Sequence, residues 1–234
     1  MAVSPGKGSA LGNPATLTSK GSFSLGAEYL RERGADEGTW VISVVDTSSS
    51  VRGAFNYYTD PGFAGFEKNL WGIAFAQTLH PVLTIGESFH MGEYEDLDGD
   101  SRNLAAGDLG VLLSLGERIS LGYLARNLYR SDKDLLERTS GIGASIRLPL
   151  DILFAADLEE SPFSGGDEDL RMGVEFKPLS RLLCRLGYQD LAGTTYYTAG
   201  VSYIDANGSV DAAIQFNEET DRTDRVILGF TMGM

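Results

Sequence analysis

The sequence predicts an all-β protein: a single antiparallel up-and-down transmembrane β-barrel of about fourteen strands with a short N-terminal arm. Three observations carry that expectation. Segment after segment alternates apolar and polar side chains with a period of two, and helical periodicity is nearly absent. The connections between these segments alternate long and short along the chain, as in barrels whose outer loops are long and inner turns tight. The composition holds 29 Gly, 10 Tyr and 11 Phe, which suits many turns and aromatic belts.

The alternation is clearest over Asp169 to Asp190. Leu170, Met172, Val174 and Phe176 share one face, and Asp169, Arg171, Gly173, Glu175 and Lys177 the other. After Pro178-Leu179-Ser180, Leu182, Cys184, Leu186 and Tyr188 oppose Arg181, Arg185, Gly187 and Gln189. A soluble sandwich would turn the apolar face inward; a membrane barrel turns it to lipid and keeps charge in its lumen. The sandwich also needs fewer strands and gives no reason for asymmetric connections.

Taken in order, residues 1–20 are small, Gly- and Pro-punctuated and non-periodic, an arm or small plug, and 21–234 form the barrel. Strands are expected over Ser22–Leu30, Trp40–Val45, Val51–Tyr58, Asn69–Thr78 and Val82–Met91. In the last of these Glu87 falls on the face of Leu83, Ile85 and Phe89, so a bulge or shifted register is expected there. Asp108–Leu115, Arg118–Asn127, Gly141–Leu148, Asp151–Glu159 and the hairpin above follow, then Thr195–Tyr203, Val210–Asn217 and Arg225–Met234. Long connections are expected at 31–38, 61–68, 93–102, 129–137 and 160–168, and short ones at 47–50, 80–81, 116–117, 149–150 and 178–180.

A net charge of −14 argues against nucleic acid, because phosphate binding needs clustered Lys and Arg. Cys184 is the only cysteine, which excludes an internal disulfide and a Cys-based zinc cluster; on the apolar face it reads as a small hydrophobe. No run reaches the ~18 to 20 apolar residues of a membrane helix, a test to which barrel strands are blind. The first fifteen residues lack the apolar core of a signal peptide, so a barrel in an envelope would be a mature form. Trp40, Trp71, Tyr29, Tyr57, Tyr123, Tyr188, Tyr197 and Tyr203 lie mostly near strand ends, where aromatic girdles belong.

The polar faces define an expected lumen set: Glu28, Arg52, Arg126, Arg147, Asp157, Arg171, Glu175, Arg185, Asp211 and Arg225. Such a set either selects solutes by its field or fills a narrow barrel with ion pairs. Acidic outer loops are expected at Glu93, Glu95, Asp96, Asp98 and Asp100, and at Asp167 and Glu168. The first resembles the front of a calcium loop, but Ser101 and Gly107 stand where its glycine and bidentate acid are required, so no metal site is expected. The two histidines, His80 and His90, are expected near opposite rims, which disfavours a metal pair. A Ser88 or Ser101 nucleophile with His90 as base has no further support, and no enzyme activity or cofactor is expected.

The run GNPATL at Gly12 to Leu17 resembles the Asn-Pro-Ala element near the start of FadL-like outer-membrane barrels and their PorV/PorQ relatives. Leu170 to Ile214 is similar to the C-terminal half of the PorV pattern: a Gly-x-Glu-aromatic strand, an Arg-x-Gly-Tyr strand, a glycine-bearing strand and an Asp-Ala strand. The resemblance implies fourteen strands, a Gram-negative-type outer membrane and contact with its lipid. It also implies either passage of a hydrophobic or small solute, or a docking role beside other envelope proteins in a secretion or surface machine. The segment before Gly21 is much shorter than a FadL hatch, and the chain ends in Met234 rather than the usual aromatic.

Overall fold

The computed structural model describes residues 12–17, 23–33, 38–59, 69–95, 101–133, 135–160, 168–191, 193–220 and 222–233. Its strands are β1 (Phe23–Glu32), β2 (Thr39–Asp46), β3 (Val51–Thr59), β4 (Asn69–His80), β5 (Leu83–Glu95), β6 (Ser101–Leu115) and β7 (Ile119–Arg130). They continue as β8 (Thr139–Leu148), β9 (Ile152–Glu160), β10 (Glu168–Leu179), β11 (Leu182–Leu191), β12 (Thr194–Asp205), β13 (Gly208–Asn217) and β14 (Arg222–Gly233). Each pairs antiparallel with the next, and β1 closes onto β14 from Ser24 opposite Gly233 to Glu32 opposite Arg225. Closure leaves no edge strand, so every strand can satisfy its backbone within the wall.

The outward face is hydrocarbon: Ile42, Ile73, Phe75, Ile146, Phe154, Met172, Leu186, Leu228 and Phe230 are all exposed. Residues one step away turn inward, among them the buried Asn56, Ala74, Ser88, Asp108, Asp157 and Ser202. A water-soluble barrel would not leave a continuous apolar exterior, whereas a bilayer requires one. Towards one rim the outer face carries aromatic pairs, Tyr29 against Trp40 at 4.9 Å and Tyr57 against Trp71 at 4.2 Å between ring centroids. Tyr188 and Tyr197 continue this belt at 5.9 Å.

The connections at the opposite rim are all tight, the longest being 47–50, and both ends of the barrel wall lie there. The aromatic rim carries the longer ones, up to 60–68, but also the two-residue 192–193.

Three local expectations are corrected. β5 runs through Glu87 without a bulge, in unbroken register with β6 from Leu83 opposite Leu113 to Glu95 opposite Ser101. Glu87 faces outward from a regular strand, and the nearby irregularity lies instead at Thr78/His80. Both ends of the expected loop 93–102 are strand, because Glu93 and Glu95 end β5 and Ser101 begins β6. Glu168 likewise opens β10, opposite Glu160, rather than lying in a loop. Asp96, Asp98, Asp100 and Asp167 lie outside the described residues.

Candidate functional site in the barrel lumen

Three features occupy the lumen: an inserted N-terminal segment, an apolar wall, and a charged wall. Gly12–Leu17, the described part of the expected arm, sits inside the barrel as a plug. A single 3-10 turn, Pro14–Thr16, is capped by Asn13, whose Oδ1 accepts from the Ala15 N–H at 3.0 Å. The Asn13 amide donates across the wall to the carbonyls of Val111 at 3.3 Å and Tyr123 at 3.1 Å, on β6 and β7. At the other end Arg52 Nη1 donates to the Leu17 carbonyl at 3.2 Å and to Thr78 Oγ1 at 3.0 Å. Leu17 packs on Ala54, Ala74 and Ala76, while Ala15 meets Leu112 and, across the lumen, Ala155.

This docking depends on two missing side chains. A Cβ on Gly110 would stand 2.0 Å from Asn13 Oδ1, and one on Gly86 2.5 Å from the Ala15 nitrogen. Both glycines lie on the inward face, so the wall is hollowed where the segment rests. The plug occupies the half of the lumen nearer the tight turns.

Nearer the aromatic rim the lumen carries an apolar patch of Tyr58, Leu70, Leu104 and Ala106 from β3, β4 and β6, with Val41 beside it. The connection after β7 folds over it and buries Leu136, with Leu135 alongside. That fold is held by Arg130 Nη1 donating to the Leu136 carbonyl at 2.9 Å and Asn127 Nδ2 to the Glu137 carbonyl at 2.7 Å. Arg138 Nη2 donates to the Leu128 carbonyl at 2.9 Å, and Leu135 N–H to Asp132 Oδ1 at 3.1 Å. A bulge in β7 opposite Gly107 and Leu109, with Asn127 at φ 53°, re-aims the strand into this lid.

All ten residues of the expected lumen set have inward strand parity, and the structure gathers most of them into two groups. On β7, β9 and β10, Arg126 pairs with Glu159, and Arg171 with both Glu159 at 2.9 Å and Asp169 at 3.1 Å. Asp157, opposite Arg171 in register, is buried beside them. From β10 round to β1 a second belt runs: Glu175 with Arg185 at 2.9 Å, and Arg185 with Ser202 Oγ at 2.6 Å and Asp211 at 3.7 Å. Ser202 and Ser209 hydroxyls donate to Asp211, and Asp211 and Glu28 flank Gly229. Arg225 pairs with Glu32 near the aromatic rim, and Arg52 serves the plug instead of an acid. Arg147 stays exposed near the tight turns, its side chain joined to no described residue.

Sequence reasoning missed Glu159, the acid that joins Arg126 and Arg171, although it lies two residues from Asp157 and so on the same face. It also missed Asp108. That buried carboxylate accepts from Ser88 Oγ at 3.2 Å and from the Asn127 N–H at 2.8 Å, and its Oδ2 lies 3.7 Å from His90 Nδ1. Ser88 therefore donates its hydrogen bond to a carboxylate rather than to His90, which is not the arrangement of an activated nucleophile. Ser101 is five rungs beyond the His90 pair in the β5–β6 ladder, ~17 Å away along the strand. Among the described residues no group of three His, Cys, Asp or Glu could hold a metal.

No family model matches the chain, and no curated protein matches it. Its fold is shared with solved membrane barrels. The toluene transporter TbuX of Ralstonia pickettii superposes with a TM-score of 0.70 at 13% identity, over 100% of this chain and 95% of that one. The toluene transporter TodX of Pseudomonas putida gives 0.64 at 13% identity, over 100% and 93%. A variant of the Rh. blastica porin gives 0.53 at 14% identity, over 92% and 98%. At these identities the likeness is one of architecture: a closed outer-membrane-type β-barrel.

Proposed function

We propose that this barrel passes a small, largely apolar solute across the outer membrane of a Gram-negative-type bacterium. The observation that carries this reading is the apolar patch of Tyr58, Leu70, Leu104 and Ala106 beneath Leu136. A channel for ions or sugars has no use for buried leucines at its mouth, whereas a hydrocarbon gains ~25 cal/mol for each Å² it buries there. The proteins of like fold described as toluene transporters support the same solute class. In the closed state Leu135 and Leu136 cover the patch, and the Gly12–Leu17 segment fills the lumen beyond it. Passage requires both to move aside, while the arginines and acids of the charged wall stay paired with one another.

Saturable binding of toluene to the detergent-solubilised barrel tests this. A Leu104→Asp variant that keeps its heat-modifiable migration is expected to lose binding. Binding that survives Leu104→Asp unchanged would place the solute elsewhere and sink the reading.

The second reading, favoured by the Arg126–Glu159–Arg171–Asp169 group, is a PorV-like docking subunit whose lumen is simply filled. It predicts no hydrocarbon binding at all and stable co-purification with another envelope protein.

A further inference from the structure

Glu87 is out of place by the rule that governs the rest of the outer face. It points outward from β5 and is exposed, with Ile85 and Leu83 on one side and Phe89 and Met91 on the other. It therefore lies near the middle of the apolar band. Among the described residues it is the one acidic or basic side chain in the interior of that band. The other outward-facing charges, Arg31, Asp46, Glu93, Glu160, Glu168, Asp190 and Asp205, all lie within three residues of a strand end. In register Glu87 stands between Phe75 and Leu109, neither of which offers a hydrogen bond from its side chain.

The adjacent strand supplies the other oddity. Gln77, on β4, faces outward one step along the diagonal: it pairs with Ile85 while Glu87 pairs with Phe75. Its amide and the Glu87 carboxylate make no hydrogen bond to each other. A carboxylate and an amide in hydrocarbon, a donor and an acceptor side by side on one face, are costly to leave so and complementary to their own copy. Under two-fold symmetry, a contact from residue i to residue j is always repeated from j to i.

We propose that two copies of this chain pair in the membrane through the outer faces of β4 and β5. The Gln77 amide of each copy donates to Glu87 of the other, and the two-fold axis passes between the two strands. Trp71, Ile73, Phe75, Phe89 and Met91, all at least 40% exposed, provide the packing around this polar centre. In the dimer both carboxylates leave hydrocarbon for a hydrogen-bonded site. Lipid or a different membrane protein are the competing occupants of this face.

The mass of the purified barrel in density-matched detergent, followed over a range of protein concentration by sedimentation equilibrium, tests the pairing. A concentration-dependent dimer is expected for the wild type. Glu87→Leu and Gln77→Leu should each weaken dimerisation at least tenfold while both keep heat-modifiable migration. The exchanged pair Glu87→Gln with Gln77→Glu should restore it. Should one leucine variant fail to fold, the other still decides. A wild type that stays monomeric at every concentration, a dimer indifferent to both leucine variants, or one not restored by the exchange would overturn the proposal.

Discussion

Asn13 concentrates the energetics of the plug in one side chain, which caps the turn that follows it and donates to carbonyls on two barrel strands. Each such hydrogen bond contributes about 0.5–1.5 kcal/mol net, so Asn13→Ala should loosen the segment by about 1–3 kcal/mol without touching the wall. Gly110→Ala attacks the same contact from the other side, because its Cβ cannot coexist with Asn13 Oδ1 at 2.0 Å. Planar-bilayer recordings should show a near-silent wild type and a conducting Gly110→Ala barrel. Conductance that is identical in the two would mean that the segment does not close the path. In the charged wall, Arg171→Leu strips Glu159 and Asp169 of a shared partner. Loss of a charge-assisted contact should lower the unfolding free energy by about 1.5–3 kcal/mol, read as a fall in the denaturant midpoint.

That Glu28, Arg126, Asp157, Arg171 and Arg185 face inward was legible in the sequence, because a two-residue period sorts side chains without reference to neighbouring strands. Their partners were not legible. Arg126 and Glu159 lie 33 residues apart and meet across two strand boundaries, at a height set by register and stagger. Asp108 escaped because its role depends on a bulge one strand away.

At the scale of elements, each strand is a two-sided object, and the outward side of β8 and β9 gives the cleanest check on orientation. Ile146 and Phe154 face each other in register and are both exposed. Arginine at either position should cost about 2–4 kcal/mol near the bilayer midplane and prevent assembly. Normal heat-modifiable migration of both variants would contradict a lipid-facing β8–β9 surface. β5 was misjudged at Glu87 because the period rule expects an unbroken apolar face and reads any charge there as an irregularity. Glu93 and Glu95 after it were misjudged for a related reason. Hydrophilic composition suggests a loop, yet Glu93 and Glu95 remain in the ladder with Asn103 and Ser101. Nothing forbids a barrel strand from continuing beyond the hydrocarbon as a polar one.

For the molecule as a whole, the number of strands and the asymmetry of the rims were readable because closure demands an even count and tight inner turns. For Gly12–Leu17 the choice between an arm and a small plug stayed open, since a short non-periodic segment carries no mark of what it packs against. The same holds for Leu135 and Leu136, two apolar residues in a connection, which become a lid only once Tyr58, Leu70 and Leu104 are brought together from three strands. On the proposed function, plug, lid and paired charges together make a barrel that shuts out ions and admits an apolar solute. The most direct test is the initial rate of radiolabelled toluene uptake at low concentration by cells with and without the barrel, compared with Leu136→Asp. The account predicts uptake several-fold faster with the wild-type barrel, and a return to the barrel-free rate in a Leu136→Asp protein that assembles normally. Equal rates with and without correctly assembled wild-type protein would contradict it.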